Sequence, residues 1–596
     1  MRDPKIVLKH LSSLKEDQSV TNIYKNLYNP EFYKIAYQNL YSKPGQMTQA
    51  SNGSTIDGMS EERINKLIQS LRDKTYKPTP LKRINISNKS GKIRSVNIPS
   101  FDDKLVQEII KMLLEALYEP QFLDCSHGYR PNRSCHTTLK YVQQKFQGNK
   151  WWITIDIKGC FDNINHVILL NLIKKRIREQ KFIHLINLFL KAGYIENWRY
   201  DKTYSGVPQG TIIGPILSNI YLHELDKYMM EQVDLIKSGR VRKSNNEYHR
   251  VVCGISRAKK SIKNEQNVEN NVELLKKYKL EFKRVKKLGA LNYNDPEYRR
   301  LAYVRYSDDI IIGSVSSKKE AEEILNNIKL FLLNNLKLEL SNEKTKIVHN
   351  SEQISFLGYN ISVIQDRINT KYNGNICLWL PYEVMKKFII DNRFGKFVCD
   401  SKTGKPKLKG IHRPELINLE EYEILMQYNA KIKGLYNYYK MASNVCKMAN
   451  FNYVCQLSFL RTLAAKYKTT CAKLYANKNY NRRHNGGSHI GIVYNGKFYE
   501  FFNGPFNVVK TVKYEKNIDI IENINKYFSR TSLIQRLEAK KCEFCGDENG
   551  PFEVHHVKKI KDLKGKASWE KLMISRKRKT MVLCKDCHHK LHAGKL

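Results

Sequence analysis

The chain has 596 residues, 41% of them hydrophobic, and a formal net charge of +45. This composition is typical of a globular protein with several domains and excludes a disordered chain. A positive charge this large, spread along the whole sequence, favours a polyanionic partner, with nucleic acid as the first candidate and a membrane surface as the alternative. No apolar run could span a bilayer and no signal-peptide core follows the N-terminus, so we expect a cytoplasmic protein.

Predicted helices and short strands alternate through the first half of the chain. Helices are predicted within residues 1–45 and over residues 101–118, with a hairpin over residues 83–98 between them. A buried apolar strand is predicted at residues 151–157, and residues 302–312 have the pattern of a tight hairpin with a polar turn.

The second half has a different composition. Residues 236–300 are rich in Lys, Arg and Asn, and they are predicted to be a surface insertion of helices and loops. Beyond residue 365 the chain is predicted to be helical and basic, and it ends in a compact Cys/His-rich segment at residues 542–592. Nine further cysteines are scattered along the chain and are expected to be reduced structural thiols.

Three aspartates stand at predicted strand ends. Asp156 lies near the end of the apolar strand, and the adjacent pair Asp308 and Asp309 occupies the hairpin turn. Neighbouring carboxylates are costly to bury unless a cation compensates their charge, and hard divalent cations prefer oxygen ligands. Phosphoryl transfer uses such ions to align the attacking hydroxyl with the phosphate. The pattern therefore predicts a metal-dependent phosphoryl-transfer site.

Five segments resemble the motifs of reverse transcriptases and occur in that family's order. Residues 306–309 (Tyr-Ser-Asp-Asp) resemble the Tyr-x-Asp-Asp box, and residues 156–164 resemble the first catalytic aspartate motif. Residues 205–210 are similar to the Pro-Gln-Gly motif, residues 89–99 to the fingers hairpin, and residues 356–359 to the primer-grip turn.

The resemblance implies a multidomain α+β protein: a right-hand polymerase with fingers and palm, an α-helical thumb, a basic DNA-binding region and a C-terminal zinc-containing ββα module. Two Mg²⁺ ions would be held by Asp156, Ile157, Asp308 and Asp309. Phe161 would crowd a 2′-hydroxyl and so favour deoxynucleotides. The nucleotide-binding residues would be Arg94, Lys92, Ile157, Phe161, Gln209 and Gly210, with Lys89 as an alternative to Lys92 beside the triphosphate.

Within reverse transcriptases the chain resembles the group II intron-encoded proteins. Residues 124–135 are similar to their Ser-His-Gly-Phe-Arg-Pro-x-Arg-Ser segment, and the extended N-terminal region at residues 32–45 and the basic insertion point to the same family. The departures are Ser307 in place of the usual Ala, Ser95 in place of a common Pro, and Thr211 and Gly214 where Gly and Ser are common.

The resemblance also implies a thumb that serves as a maturase and binds intron RNA. Basic and aromatic side chains are interleaved on the helix predicted over residues 428–439, which suits phosphate contacts and base stacking. An amphipathic helix with an aromatic core face and a solvated basic face is the alternative. The predicted RNA- or DNA-binding residues are Lys431, Arg461, Lys466, Arg482 and Arg483, with Lys510 and Lys513 in the region expected to contact target DNA.

Two Cys-x-x-Cys pairs, Cys542/Cys545 and Cys584/Cys587, have the spacing of a tetrahedral structural Zn²⁺ site. The histidines around them resemble an H-N-H nuclease, which implies His556 as general base and one Mg²⁺ held by His555, His588 and His592. The central Asn of that family has no clear counterpart, since Lys579 or Thr580 falls near its place. A purely structural zinc ribbon is the alternative.

We therefore predict a group II intron-encoded protein that is an RNA-directed DNA polymerase, a splicing maturase and a DNA-nicking endonuclease. The expected domains are residues 1–364 (fingers and palm), 365–480 (thumb and maturase), 481–535 (DNA binding) and 536–596 (H-N-H). Its partners would be intron RNA, target DNA, deoxynucleotides and a second copy of the chain, at the nucleoid of a bacterial host. The alternatives are a splicing cofactor without working catalysis, a nuclease with a vestigial polymerase, and a retron- or retrotransposon-type reverse transcriptase.

Overall fold

The computed structural model describes residues 2–41, 43, 45–87, 93–196, 199–264, 268–286, 289–292, 295–365, 373–399, 406–484, 487–509, 533–576 and 578–596. Within these ranges, none of the helices combines the length and apolarity that a membrane crossing requires. The described residues pack around three hydrophobic cores, one mainly in the N-terminal half, one mainly in residues 354–506 and a small one near the C-terminus. The expectation of a mixed, multidomain fold is confirmed.

The N-terminal part combines helices with two four-stranded sheets. Its first elements are α1 (Pro4–Ser12), α2 (Pro30–Tyr41), α3 (Glu61–Arg72), β1 (Leu81–Ser87), β2 (Ile93–Ile98), α4 (Phe101–Tyr118), α5 (Cys135–Lys145), β3 (Trp151–Asp156), α6 (His166–Arg176), α7 (Gln180–Leu190), β4 (Tyr194–Glu196), β5 (Arg199–Asp201) and α8 (Gly214–Ile236). The predicted hairpin is confirmed as the β1–β2 pair, which joins β4 and β5 in one sheet. The predicted helix over residues 101–118 is confirmed as α4, capped by the Ser100 hydroxyl.

The basic insertion consists mainly of two helices packed against each other, α9 (Asn246–Lys263) and α10 (Val268–Val285). Only Val251, Gly254 and Ala258 are buried on α9, and Val285 alone on the described part of α10. A thin apolar stripe with wide polar faces agrees with the predicted surface insertion of helices and loops.

The central sheet follows, completed by β6 (Arg300–Tyr306), β7 (Asp309–Val315), α11 (Lys318–Leu336) and β8 (Lys346–His349). Its strand order is β6-β7-β3-β8, and all neighbours are antiparallel. Helices α8 and α11 contact this sheet. The expected hairpin is present, and its two-residue turn is closed by Ser307 in the left-handed region at φ 60°.

The region from residue 354 onward contains helices and short strands, and the strands beyond residue 365 were not predicted from the sequence. The elements are β9 (Ile354–Phe356), β10 (Tyr359–Val363), β11 (Ile376–Trp379), α12 (Tyr382–Asp391), β12 (Gly395–Cys399), β13 (Pro406–Gly410), α13 (Glu421–Tyr439), α14 (Met448–Lys466), α15 (Cys471–Ala476), β14 (Asn481–His484), β15 (Gly487–Tyr494) and β16 (Lys497–Glu500). Helices α12, α13, α14 and α15 agree with the predicted helical thumb, and short hairpins such as β12–β13, which were not predicted, pack on α14 and complete its core. Strands this short have too few residues to show a clear alternation.

The C-terminal module contains α16 (Leu533–Leu537), β17 (Phe552–His556), α17 (Ser568–Ser575), β18 (Thr580–Cys584) and α18 (Lys585–His592). The predicted strand pair and helix are present as β17, β18 and α18. The module packs against the start of the chain: α16 contacts α2, and the backbone N–H of Val554 donates to the Met59 carbonyl at 3.0 Å. Val554 is buried in the N-terminal core.

A buried ion pair between Arg305 and Asp226 lies beneath the β6–β7 hairpin of the central sheet. All five N–H donors of Arg305 are used: two bond the Asp226 carboxylate at 2.8 and 2.6 Å, and the others bond Asn219, Ser126 and the Ser307 carbonyl. Tyr303 donates a further hydrogen bond to Asp226 at 2.7 Å. Both charged side chains are fully buried. The network thus joins α8 to the strand that precedes the hairpin turn.

We expect Asp226→Asn to destabilise this hairpin locally, because it leaves the Arg305 charge buried without a counter-charge. Breaking a buried pair costs about 3–5 kcal/mol. Hydrogen exchange of the β6 and β7 amides should show the local opening free energy fall by about that amount. Asp234→Asn, at an exposed position of the same helix, is the matched control. Equal exchange in both variants would contradict the structural role of the pair.

Candidate functional sites

Three carboxylates converge at one edge of the central sheet. Asp156 ends β3 and is paired in register with Asp309, the first residue of β7, while Asp308 lies in the adjoining turn. The structure therefore brings together the three aspartates that the sequence selects from positions more than 150 residues apart. Their oxygen-only donor set fits hard divalent cations such as Mg²⁺.

The charges of this cluster are only partly balanced by protein groups. Desolvation, followed by the negative charges of Asp308 and Asp156, raises the pKa of Asp309 to about 6, although part of the residue stays exposed to solvent. Lys344 donates to both Asp156 oxygens, at 3.0 and 3.2 Å. Lys344 was not predicted from the sequence, because a lone lysine 188 residues from its partner belongs to no recognisable motif.

The loop that contains the Pro-Gln-Gly motif packs beside these aspartates. The Val207 N–H donates to the Phe161 carbonyl at 2.7 Å, and the Gly206 N–H donates to the Ile164 carbonyl at 2.8 Å. The two motifs are therefore adjacent in space. The Phe161 ring meets the edge of Tyr129, with ring centroids 6.5 Å apart.

Gly210 allows this loop to approach strand β2 of the β2-β1-β4-β5 sheet. Its φ is 105°, and a Cβ at this position would lie 2.3 Å from the Asn97 carbonyl oxygen. The Gln209 carbonyl accepts from the Asn97 N–H at 2.8 Å. Arg94 lies on the same strand as Asn97, with its backbone paired to Ile86. Lys89 and Lys92, also predicted to contact the triphosphate, lie outside the described residues.

Residues 124–135 pack against the β6–β7 hairpin, whose turn contains Asp308. The His127 N–H donates to the Arg305 carbonyl at 2.9 Å, and the Arg305 N–H donates to the Cys125 carbonyl at 2.8 Å. A Cβ at Gly128 would lie 2.2 Å from the Ser307 nitrogen, so only glycine fits against the turn. The small side chain of Ser307, one of the departures noted in the sequence, is accommodated at this contact.

The predicted primer-grip turn is held by the C-terminal end of α13. Leu357 and Gly358 both have positive φ, at 47° and 72°, in the β9–β10 turn. The Tyr438 hydroxyl donates to the Leu357 carbonyl at 2.9 Å, and the Tyr439 hydroxyl donates to the Gly358 carbonyl at 3.2 Å. Tyr438 and Tyr439, which belong to the helix predicted over residues 428–439, thus position this turn.

The four cysteines of the C-terminal pairs meet at one point. The Sγ atoms of Cys542, Cys545, Cys584 and Cys587 all lie within 4.8 Å of one another. Four thiolates at such separations fit a closed tetrahedral Zn²⁺ site. The core around them is small, with Met573, Met581, Leu583 and Leu591 as its other buried members. A metal is a common means of stabilising so small a core.

A second cluster of potential metal ligands lies nearby. His555, His588 and His592 converge with the Asp57 carboxylate, and their ligand atoms all lie within 4.8 Å of one another. Imidazole and carboxylate donors together fit a borderline divalent ion better than they fit Mg²⁺. Asp57 was not predicted as a metal ligand from the sequence, because it lies about 500 residues from the histidines and belongs to no recognisable motif.

His556 is buried beside this cluster, with its Nδ1 3.9 Å from Asp57 Oδ1. Its Nδ1 lies 2.8 Å from the Val554 carbonyl, so Nδ1 carries the proton and Nε2 accepts from the Tyr37 hydroxyl at 2.9 Å. Desolvation lowers the pKa of His556 to about 4. Near the position of the family's Asn, Thr580 pairs with His556 across the strands, and its hydroxyl accepts from Arg536 at 2.8 Å.

The predicted RNA-contacting residues differ in their surroundings. Lys466 donates to the carbonyls of Ile417 and Leu419 at 2.9 and 3.0 Å, so part of its role is to hold that loop. Arg461 donates to the Gly410 carbonyl and lines a cleft with Arg393, Lys396, Lys409 and His412. Arg482 is exposed and lies over the Phe498 ring at 4.6 Å. For Arg483 the backbone alone is described, in β14.

Lys431 is half-buried on α13. Its ammonium lies 5.8 Å from the centre of the Phe394 ring. Desolvation, with a smaller effect from the Arg413 charge, lowers the pKa of Lys431 to about 8. Lys510 and Lys513, the other cations expected to contact DNA, are not among the described residues.

Comparison with known proteins agrees with this division of the chain. A reverse transcriptase (RNA-dependent DNA polymerase) family model matches residues 86–250 and 271–361. A type II intron maturase model matches residues 385–537, and an AI2M/AI1M-like HNH endonuclease model matches residues 542–588.

Three relatives match almost the whole of this chain. The group II intron-encoded protein LtrA of Lactococcus lactis subsp. cremoris is 40% identical over 100% of both chains. An uncharacterized 91 kDa protein in the cob intron of Schizosaccharomyces pombe is 34% identical over 96% of this chain and 70% of its own length. A putative COX1/OXI3 intron 1 protein of Saccharomyces cerevisiae is 30% identical over 98% of this chain and 70% of its own.

We expect Cys584→Ser to lose the zinc and unfold the C-terminal module, because its few apolar contacts are too small a core without the metal. Elemental analysis should give one equivalent of zinc fewer per chain, and limited proteolysis should cleave within residues 536–596. Cys446→Ser, at an exposed cysteine elsewhere, should keep its zinc. A Cys584→Ser protein with full zinc content and an intact module would argue against the four-thiolate site.

Proposed function

This chain belongs to the group II intron-encoded proteins, with reverse transcriptase, intron maturase and HNH endonuclease domains, and from that premise we propose which residues carry each activity. Its fold and domains make it an RNA-directed DNA polymerase, a maturase and a DNA endonuclease. The observation that supports the polymerase assignment best is the in-register pairing of Asp156 with Asp309, beside Asp308 in its turn.

In the polymerase site, Asp156, Asp308 and Asp309, together with the Ile157 backbone, would hold two divalent cations. When bound, those ions supply the positive charge that brings the primer hydroxyl and the triphosphate together. The side chain of Phe161 would lie under the sugar, and the Gln209–Gly210 backbone would face the nucleotide. Arg94 and Lys92 would contact triphosphate oxygens. Lys344 would compensate the carboxylates before the ions arrive.

In the nuclease, His555, His588 and His592 would hold one divalent ion and His556 would accept a proton from water. Its Nδ1–H bond to the Val554 carbonyl supports this role, because it leaves Nε2 as the basic atom. The cysteine cluster would hold a structural zinc. We propose residues 1–364, 365–480, 481–535 and 536–596 as the domains.

For RNA we propose the basic cleft of the thumb and the exposed face of α13. Arg461 and its neighbours would contact phosphates, and Lys431 would contact RNA beside its aromatic neighbours. Lys466, Arg482 and Arg483 extend the positive surface. Target DNA, deoxynucleotides and a second copy of the chain are further proposed partners, and the nucleoid of a bacterial host is the proposed location.

We expect Asp308→Ala to lower primer extension on an RNA template in Mg²⁺ by at least about 10²-fold, because the variant loses one metal-binding carboxylate. Binding of the intron RNA and help with its splicing should be retained. Asp201→Ala, at an exposed strand position away from the cluster, is the matched control. If both variants extend primers like the wild type, the assignment of Asp308 is wrong. If even the wild type makes no DNA while splicing help persists, the chain is a splicing cofactor without working catalysis.

RNA binding should also weaken with rising pH. A lysine whose pKa is lowered to about 8 is charged below that pH and loses its charge above it, so Lys431 should contribute at pH 7 and little at pH 9. The expected loss for one phosphate contact is several-fold, measured by filter binding of intron RNA at constant salt. Lys431→Arg stays charged throughout and should lose less affinity over the same range. Identical pH profiles would contradict a contact by Lys431.

A further inference from the structure

The nuclease histidines meet a carboxylate from the opposite end of the chain. Asp57 Oδ1 lies 3.2 Å from His555 Nδ1, and Asp57 Oδ2 lies 2.8 Å from His592 Nε2 and 3.4 Å from His588 Nε2. The histidines are equally close to one another: His588 Nε2 is 3.3 Å from His555 Nδ1 and 3.1 Å from His592 Nε2.

These separations have the size expected around a four-coordinate ion. With metal–ligand bonds of about 2.0–2.1 Å, the ligand atoms of a tetrahedral site lie about 3.3 Å apart. The two distances between histidines and the three distances from the two Asp57 oxygens to the histidines run from 2.8 to 3.4 Å. Glu553 lies 2.5 Å from the other ring nitrogen of His588, which is the usual arrangement for orienting a metal-binding histidine.

Asp57 is held in this position by its own domain and by the nuclease. The Arg63 guanidinium donates to the Asp57 carbonyl at 3.0 Å and is itself paired with Asp102 at 2.7 Å. The His556 backbone N–H donates to Asp57 Oδ1 at 2.6 Å. Two residues along the chain, Met59 pairs with Val554 as a β-bridge. The carboxylate is mostly buried, with 13% of its side chain exposed.

The same contact covers the proposed general base. Tyr37, on α2 of the N-terminal part, donates its hydroxyl proton to His556 Nε2, and His556 is 4% exposed. Tyr37 is itself fully buried. Neither a scissile phosphate nor an attacking water has access to that nitrogen in this arrangement.

We propose that Asp57 is the fourth ligand of the nuclease ion and that the bound ion holds the nuclease closed against the polymerase part of the chain. A catalytic site keeps one coordination position open for substrate, whereas four protein ligands close it. Asp57 fills the position that a DNA phosphate would take, so nicking requires Asp57 and Tyr37 to withdraw. This proposal rests on the nuclease ion site of the proposed function. It adds Asp57 as the ligand that occupies the last coordination position of that site.

Co²⁺ is a suitable probe for the full-length chain with its structural zinc in place. Four-coordinate Co²⁺ absorbs visible light strongly, whereas six-coordinate Co²⁺ on the oxygen ligands of the polymerase site absorbs weakly. Absorption by thiolate-bound Co²⁺ in the near ultraviolet would reveal any exchange into the cysteine site. Asp57→Asn keeps the side-chain shape and removes the charge. Asp73→Asn, at the end of α3 and outside the cluster, is the matched control.

The wild type and Asp73→Asn should bind Co²⁺ with an intense visible spectrum. Asp57→Asn should bind at least about tenfold more weakly and with lower intensity, since three ligands and solvent remain. In the wild type, Co²⁺ should also slow hydrogen exchange in residues 55–60, far from the histidines in sequence, and Asp57→Asn should abolish that effect.

Equal Co²⁺ affinity, spectra and exchange in the wild type and Asp57→Asn would overturn the fourth-ligand proposal while leaving the three-histidine site standing. His588→Ala separates the two claims. The visible Co²⁺ spectrum of the wild type should disappear in His588→Ala. If the wild type has no such spectrum, or if His588→Ala keeps it, the nuclease ion site is wrong and the proposal fails with it. Primer extension by Asp57→Asn should equal that of the wild type in either case.

Discussion

The Arg305–Asp226 ion pair is the constraint on which the polymerase site depends. Three carboxylates repel one another, and a two-residue turn alone would not keep them together. Arg305 donates to the carbonyl of Ser307 in that turn and to Asp226 on α8, so the hairpin is tied to the helix beneath it. Gly128 lets a second segment press against the same turn. Positions far from the aspartates thereby determine the geometry at which ions would bind.

The chain has three clusters of potential metal ligands that differ in their donor atoms. The central sheet presents oxygen alone, which suits a hard ion that must also bind phosphate oxygens. The C-terminal module presents sulfur in one cluster and imidazole with a carboxylate in the other, which suit softer ions. The three clusters therefore favour different classes of ion.

Much of this arrangement was predictable, and the errors have physical causes. The strand before Asp156, the hairpin at Asp308 and the helix of residues 101–118 have strong local patterns, and all three are present. The region after residue 365 was expected to be helical, but its short hairpins, such as β12–β13, form because they pack on α14. Lys344 and Asp57 were missed because an isolated charged residue resembles any other surface charge in a basic chain.

By itself the sequence determined the class of the protein, its metal-binding residue types and the order of its domains. These depend on local composition, on spacing along the chain and on ordered motifs, all of which can be recognised without a fold. Only the tertiary structure decided that Asp57 meets His555, His588 and His592, that Tyr37 covers His556, and that Lys344 lies on Asp156. Such contacts join segments that are far apart in the chain, either within one domain, as for Lys344 and Asp156, or between packed domains, as for Asp57 and Tyr37. No periodicity or spacing in the chain encodes which side chains will face each other there.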